Sequence, residues 1–220
     1  MKHNFQLEIN LASRKIFFPE ERIKTKLKII EILLEACRYI LYNEKKNKVK
    51  SLFKIIVQKD RMNRLFFVGQ SKMYSITFPF NVYYDDTETK INYKNLIDID
   101  SFAITNLLSF IKDPIIESED CLDFIEPIIN YRDQLQINYW IVLKDLLFSE
   151  DGYIRYDKDD IGFQNALKNK QQHRHPVHHL DVFYTNSATF KIGLEKALLE
   201  IELIDTLDRN MNCKYLKDHP

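Results

Sequence analysis

Four of the six histidines in this chain fall within seven residues. His173, His175, His178 and His179 lie in the run Gln-Gln-His-Arg-His-Pro-Val-His-His-Leu-Asp, which ends at Asp181. Imidazole is the side chain whose ordinary pKa lies nearest neutrality, and it is the commonest metal ligand. Upstream, Tyr153-Ile154-Arg155-Tyr156-Asp157 sets a guanidinium and a carboxylate two residues apart. Three readings suit this set. In a metal-independent phosphodiesterase or ribonuclease, His179 would be the base and His175 the acid. Arg155 or Lys191 would stabilise charge on the phosphoryl group, and Asp157 or Asp181 would orient an imidazole. In a metal centre, His175, His179 and Asp181 would be ligands, a mixed set that suits zinc, iron or manganese. In a structural network, Arg, Asp and His would fix a loop onto a sheet in a protein that works by binding a partner. The residues alone leave the reaction and any cofactor open.

The backbone narrows the geometry. Pro176 pushes His175 into an extended conformation, so the segment is not helical before His178. From there the pattern alternates. Leu180 and Val182 share one face of a strand; His179, Asp181 and Phe183 share the other. His179 and Asp181 therefore project side by side, roughly 7 Å apart at their Cα atoms. If Tyr153 to Asp157 pairs nearby, Arg155 and Asp157 join them. Charged groups from two strands on one face are costly to bury unless they pair or bind something.

Elements must position these strands. Residues 20 to 43 read as a long amphipathic helix, with Ile23, Leu27, Ile30, Leu34, Cys37, Ile40 and Leu41 at mostly three- and four-residue steps. A strand-rich stretch follows: Leu52 to Val57, Arg64 to Val68, Met73 to Phe78, Asn81 to Tyr84 and Ile91 to Tyr93, joined by short connections that imply an antiparallel meander. Ser101 reads as the N-cap of a helix over Phe102 to Ile111. Residues 112 to 130 read as loop plus a short helix, and Leu135 to Phe148 as a helix. Tyr153 to Asp157 is a strand, and the polar stretch from Lys158 to Gln172 reads as a mobile loop. Leu180 to Tyr184 and Thr189 to Ile192 are strands, and Leu194 to Leu207 is a closing helix. The expected class is α+β: a mainly antiparallel sheet with an N-terminal long helix, central helices and a C-terminal helix packed on it.

A chain of 220 residues fits one large domain or two small ones, and a single α+β domain over residues 1 to 220 is expected. Its 32 basic and 32 acidic residues cancel, so no global basic field advertises nucleic-acid binding. The lysine-rich residues 44 to 54 read as a solvated turn between helix and strand. Cys37, Cys121 and Cys213 are far apart and form no C-x-x-C, which argues against a disulfide scaffold or thiolate zinc site and suits a reducing cytosol. No apolar core marks a signal peptide and no run is long enough to span a membrane, so a cytoplasmic protein with no membrane partner is expected. With only four glycines, G-x-G-x-x-G and Walker patterns are absent.

Weaker motifs yield to ordinary explanations. Arg174 and His179 have the R-x4-H spacing of helical HEPN-type ribonucleases, but Pro176 breaks the helix that family needs. Glu88-Thr89-Lys90 has the E-x-K form of restriction-like nucleases but lies in a hairpin turn. The aromatics Phe78, Phe80, Tyr83 and Tyr84 suit base stacking, yet such residues in alternating strands are more often core.

The segments Tyr153-Ile154-Arg155-Tyr156-Asp157, His175-Pro176, His179-Leu180-Asp181 and Thr189-Phe190-Lys191-Ile192-Gly193 together resemble an uncharacterised bacterial family of about this length. In that family an R-x-D strand precedes an H-P-x-x-H-x-D-type segment and a short strand. The matching positions are Arg155, Asp157, His175, His179 and Asp181. The pairing is also similar to small toxins of toxin–antitoxin pairs. The resemblance implies a bacterial defence or toxin-like setting and carries no chemistry of its own; the residues themselves point to RNA or DNA as the expected substrate. In the alternative, the chain is a non-catalytic subunit that binds a partner ATPase or nuclease of a defence or toxin–antitoxin operon.

Overall fold

The computed structural model describes residues 4–84, 88–113, 137–183 and 189–214. In chain order the elements begin with β1 (Phe5–Glu8), α1 (Arg14–Phe17), α2 (Lys26–Tyr42), β2 (Lys54–Gln58), β3 (Arg64–Val68) and β4 (Lys72–Thr77). Next come β5 (Phe80–Tyr84), β6 (Thr89–Tyr93), β7 (Ile97–Asp98), α3 (Ser101–Ile111) and α4 (Ile137–Phe148). The last are β8 (Ile154–Lys158), α5 (Asp160–Lys168), β9 (His178–Phe183), β10 (Thr189–Leu194) and α6 (Glu200–Leu207). The class is α+β, with sheets that are antiparallel throughout. Among the described residues no helix is long and apolar enough to cross a membrane.

The chain packs as two compact units. The first is built on residues 1–10, 46–77 and 152–220, and holds a seven-stranded sheet in the order β1-β2-β3-β4-β8-β9-β10. Register aligns one continuous row across all seven strands: Leu7, Ile55, Phe67, Tyr74, Arg155, Asp181 and Lys191. The row is apolar and buried through β1, β2 and β3, reaches the stacked rings of Phe67 and Tyr74, and then turns charged at Arg155. The other face is apolar where it passes the charged half. There Phe66, Met73, Tyr156 and Leu180 form a core with Leu203 of α6. That core fixes the strand parity: burying Tyr156 and Leu180 on one face forces Arg155, Asp157, His179 and Asp181 onto the other.

The second unit, built on residues 11–45 and 78–151, holds α1, α2, α3, α4 and the three-stranded sheet β5-β6-β7. Its interior includes Ile30, Leu34, Cys37, Ile40, Leu107, Phe110, Val142 and Leu143.

Several boundaries differ from those read in the sequence, each for a local reason. Helix α2 begins at Lys26 because the Thr25 hydroxyl accepts the Lys28 N–H at 3.2 Å, a cap that Glu20 and Glu21 do not supply. Asp100, not Ser101, caps α3: its carboxylate accepts the Ala103 N–H at 2.8 Å, and the Ser101 hydroxyl bonds Tyr42 instead. The stretch expected as a mobile loop after Lys158 contains α5. The closing helix is shorter than expected, starting at Glu200, where the Glu202 carboxylate reaches back to the Leu199 N–H at 2.8 Å. The edge strand β1 was not expected. The short helix expected within residues 112 to 130 and the turn at residues 185 to 187 lie outside the described residues, as does Cys121.

Candidate functional site

Strands β8 and β9 are direct neighbours. Asp157 lies opposite His179, and Arg155 opposite Asp181; on the far side of β9, Lys191 lies opposite Asp181 and Gly193 opposite His179. The side-by-side placement of His179 and Asp181, with Arg155 and Asp157 beside them, is therefore the arrangement the alternation predicts. What the sequence does not give is its depth. His179 is 1% exposed, Asp181 2% and Arg155 6%.

Buried charges must be paired, and these are. The Arg155 guanidinium donates to Asp181 Oδ2, and its Nε lies 2.7 Å from Asp157 Oδ2. That Nε makes no well-aimed hydrogen bond, so its link to Asp157 is an ion pair rather than a directed bond. The Lys191 ammonium donates to Asp181 Oδ1 at 2.6 Å and lies 2.7 Å from His179 Nε2. Two cations thus neutralise two carboxylates. Burial works against the Arg155 charge, but Asp157, Tyr153 and Asp181 outweigh it and hold its pKa above the ordinary value. The Phe183 ring sits 5.5 Å from the guanidinium carbon, and Tyr153 stacks on Phe183 at 4.8 Å, which adds a cation–π contact on the same face. Burial pushes the Tyr153 hydroxyl up to about 12, against the opposing Arg155 charge.

The protonation of His179 follows from its partners. Nδ1 lies 2.9 Å from the Pro176 carbonyl oxygen. A carbonyl only accepts, so Nδ1 carries a hydrogen, and in the neutral ring that leaves the lone pair on Nε2. Burial lowers the pKa of this imidazole; the Pro176 bond opposes that, and the Lys191 charge adds to it. A glycine eases the Pro176 clamp. A Cβ at Gly193 would stand 3.1 Å from Pro176 Cγ, so the bare backbone opposite His179 leaves room for the proline ring.

His175 belongs to a second, shallower pair. Its Nε2 lies 2.9 Å from Asp159 Oδ2, with side-chain exposures of 28% and 40%. Its ring meets His179 edge-on at 5.0 Å between centroids. The other oxygen of Asp159 accepts the Gly162 N–H at 2.7 Å and caps α5. Burial would raise the Asp159 pKa, but the Gly162 N–H and His175 outweigh it and hold it low. A Cβ at Gly162 would overlap both His175 Nε2 and Asp159 Oδ2.

The four histidines therefore divide. His179 and His175 face the charged side. His178 points to the opposite face and bonds the Tyr156 hydroxyl at 2.9 Å. His173 is exposed in the 3-10 turn Gln172–Arg174. Arg174 lies in that turn and His179 on β9, so the R-x4-H pair shares no helix. The expected metal set of His175, His179 and Asp181 is not the group that converges. Ligand atoms of Asp157, His179 and Asp181 lie within 4.8 Å of one another, while His175 is held by Asp159.

Sequence reasoning did not find Asp159, Gly162, the Pro176 carbonyl or Gly193. An Asp three residues before a glycine, at the head of the pattern Ile161, Phe163, Ala166 and Leu167, is a helix start that was open to reading. Nothing local marks the Pro176–Gly193 contact, which spans two strands. Elsewhere, a hollow of about 1050 Å³ in the second unit is lined by mixed charges including Glu20, Lys24, Lys28, Glu31 and Lys112, and assembles no comparable set. Comparison with family models, with curated proteins and with solved structures gives no match to this chain.

Proposed function

We propose that the protein is a phosphodiester hydrolase acting on RNA or DNA, in a toxin-like or defence setting, with its reaction centre on the charged face of β8, β9 and β10. The observation that carries this reading is the unprotonated His179 Nε2, faced by a lysine ammonium and two carboxylates. A lone-pair nitrogen is a base in waiting. Lys191, 27% exposed at its side chain, is the cation able to leave its partners for an arriving phosphate. In doing so it uncovers Nε2, which takes the proton of the attacking hydroxyl or water, and brings positive charge to the phosphoryl oxygens. His175, at the rim and paired with Asp159, supplies a proton to the leaving oxygen. Arg155 is buried and committed to Asp157 and Asp181, so it acts as a positioning residue and Lys191 meets the phosphate.

One observation favours a second reading. The network neutralises itself, with Arg155 and Lys191 against Asp157 and Asp181, and such balance suits a structural role in a non-catalytic subunit that binds an ATPase or nuclease. Expression in bacteria separates the two. The hydrolase reading expects growth arrest that His179→Asn abolishes, because Asn keeps an N–H for Pro176 and removes Nε2. Arrest that persists undiminished in a folded His179→Asn protein contradicts it.

A further inference from the structure

We infer that Asp157, His179 and Asp181 form a divalent-cation site in which a first-row transition ion takes the place now held by the Lys191 ammonium. This deepens the hydrolase reading and rests on it for the role of the ion, though not for its binding.

The argument begins with which atoms the ammonium touches. Lys191 Nζ lies 2.6 Å from Asp181 Oδ1 and 2.7 Å from His179 Nε2. These are the same atoms that, with Asp157 Oδ2, make the ligand group: Nε2 is 3.9 Å from Asp157 Oδ2 and 3.9 Å from Asp181 Oδ1. A positive group thus already sits on two of the three ligand atoms, those of His179 and Asp181. The tautomer suits a metal, since Nδ1–H is anchored on the Pro176 carbonyl and only Nε2 points inward. An outer bond of this kind is what usually fixes a ligating imidazole. Asp181 Oδ2 and Asp157 Oδ2 are both held by Arg155, which orients the two carboxylates as a second layer.

Size and charge are consistent with exchange. A cation with ligand bonds of ~2.1 Å spans at most ~4.2 Å between ligand atoms. Tetrahedral ligands would stand only ~3.4 Å apart, so the two 3.9 Å separations would close by roughly 0.5 Å and the widest, up to 4.8 Å, by as much as about 1.4 Å. Three protein ligands leave positions for water. Once Lys191 swings into solvent, a divalent ion with Arg155 outweighs the two carboxylates by one charge, which favours a phosphate or hydroxide at the open positions. One imidazole with two carboxylates suits Mn²⁺ or Zn²⁺ better than Mg²⁺. With an ion bound, Nε2 would serve as a ligand and no longer as the base; the ion would instead acidify a bound water, whose proton would pass to solvent, and Lys191 would remain free to meet the substrate.

The competition gives the test. Chelator-stripped full-length protein is titrated with Mn²⁺, and separately with Zn²⁺, by calorimetry, with circular dichroism to verify folding. Wild type is expected to bind one ion per chain. Lys191→Met, which removes the competing ammonium, is expected to tighten binding by about tenfold or more, and Asp157→Asn to weaken it by about tenfold or more. Asp157 is the least buried of the three ligands, so its variant is the least prone to unfold. Folded wild-type and Lys191→Met proteins that both fail to bind either ion overturn the site, as does binding that Asp157→Asn leaves unchanged. The two readings fail separately. Stoichiometric binding without phosphodiester cleavage overturns the hydrolase and keeps the site; cleavage at full rate in chelator keeps the hydrolase and overturns the ion's role in the reaction.

Discussion

Lys191 and His179 stand on neighbouring antiparallel strands, one diagonal step apart in register, with the lysine ammonium 2.7 Å from the imidazole Nε2. The contact has meaning only if the imidazole is neutral, a state that burial and the Lys191 charge favour, and the Pro176 carbonyl on Nδ1 then leaves the lone pair at Nε2. The lysine satisfies a lone pair that burial would otherwise strand, and shares the same hydrogen-bonding head with Asp181.

Replacing Lys191 by Met in metal-free protein removes a donor from both Asp181 Oδ1 and His179 Nε2. Asp181 keeps Arg155, so the loss is expected to be that of one charged hydrogen bond, about 1–3 kcal/mol in denaturant unfolding. The His179 pKa is expected to rise, because the Lys191 charge is one of the causes that lower it. Imidazole proton NMR reads this, and a pKa that does not move would show that the ammonium is not at Nε2 in solution.

Arg155 carries a heavier load. Arg155→Ala leaves Asp157 and Asp181 facing each other without their shared cation, in a site where Asp181 is 2% exposed. A loss of roughly 3–5 kcal/mol is expected, the range for removing one partner of a buried ion pair. Arg155→Lys keeps the charge but not the fork that reaches both carboxylates, and should recover only part of it. Equal stability of the wild type and Arg155→Ala in urea melts would mean the pairs do not form.

Acid should unfold the protein through His179 in particular. Its folded-state pKa lies below the ordinary value of 6.5, chiefly through burial, so the unfolded chain holds the proton more tightly. Stability from this group is complete above 6.5 and is lost as pH falls below it toward the folded pKa. Melting temperatures of chelated protein between pH 8 and pH 5.5 are expected to fall below about pH 6.5, near the ordinary histidine value. The fall should be shallower in His179→Asn; identical slopes in the two proteins would remove His179 as the cause.

Gly162→Ala displaces the His175–Asp159 pair. The new methyl group would overlap His175 Nε2 and Asp159 Oδ2, both at the ends of side chains, so the imidazole is expected to swing away. Alanine favours the helix by about 1 kcal/mol, which offsets a cost of about 1 kcal/mol for straining the Asp159 cap, and stability should change by no more than about 1 kcal/mol. Phosphodiester cleavage is expected to drop by about 10²-fold if His175 is the general acid. Full cleavage in this variant would assign His175 to holding the loop.

The charged face was legible in the sequence because strand alternation is a strict rule. Leu180 and Tyr156 had to be buried, and that alone sent His179, Asp181, Arg155 and Asp157 to the opposite side. What was not legible is the partner of each charge. His175 stands four residues from His179 and seemed to belong to the same cluster, yet Pro176 turns the chain and delivers it to Asp159, a residue that looked like part of a loop. The role of Gly193 depends on register between β9 and β10, which no local pattern records. Helix starts were misjudged at Thr25 and Asp100 for a simpler reason: several neighbouring residues can cap, and the hydrogen bond decides among them.

The most direct measurement is cleavage of end-labelled single-stranded RNA and DNA by purified wild-type protein, with and without Mn²⁺, beside His179→Asn verified as folded by circular dichroism. A hydrolase centred on His179 predicts cleavage by the wild type and a loss of about 10²-fold or more in the variant, the scale of one acid–base group or more. Cleavage at the same rate by both proteins, or no cleavage of either polymer by the wild type under either condition, would contradict it.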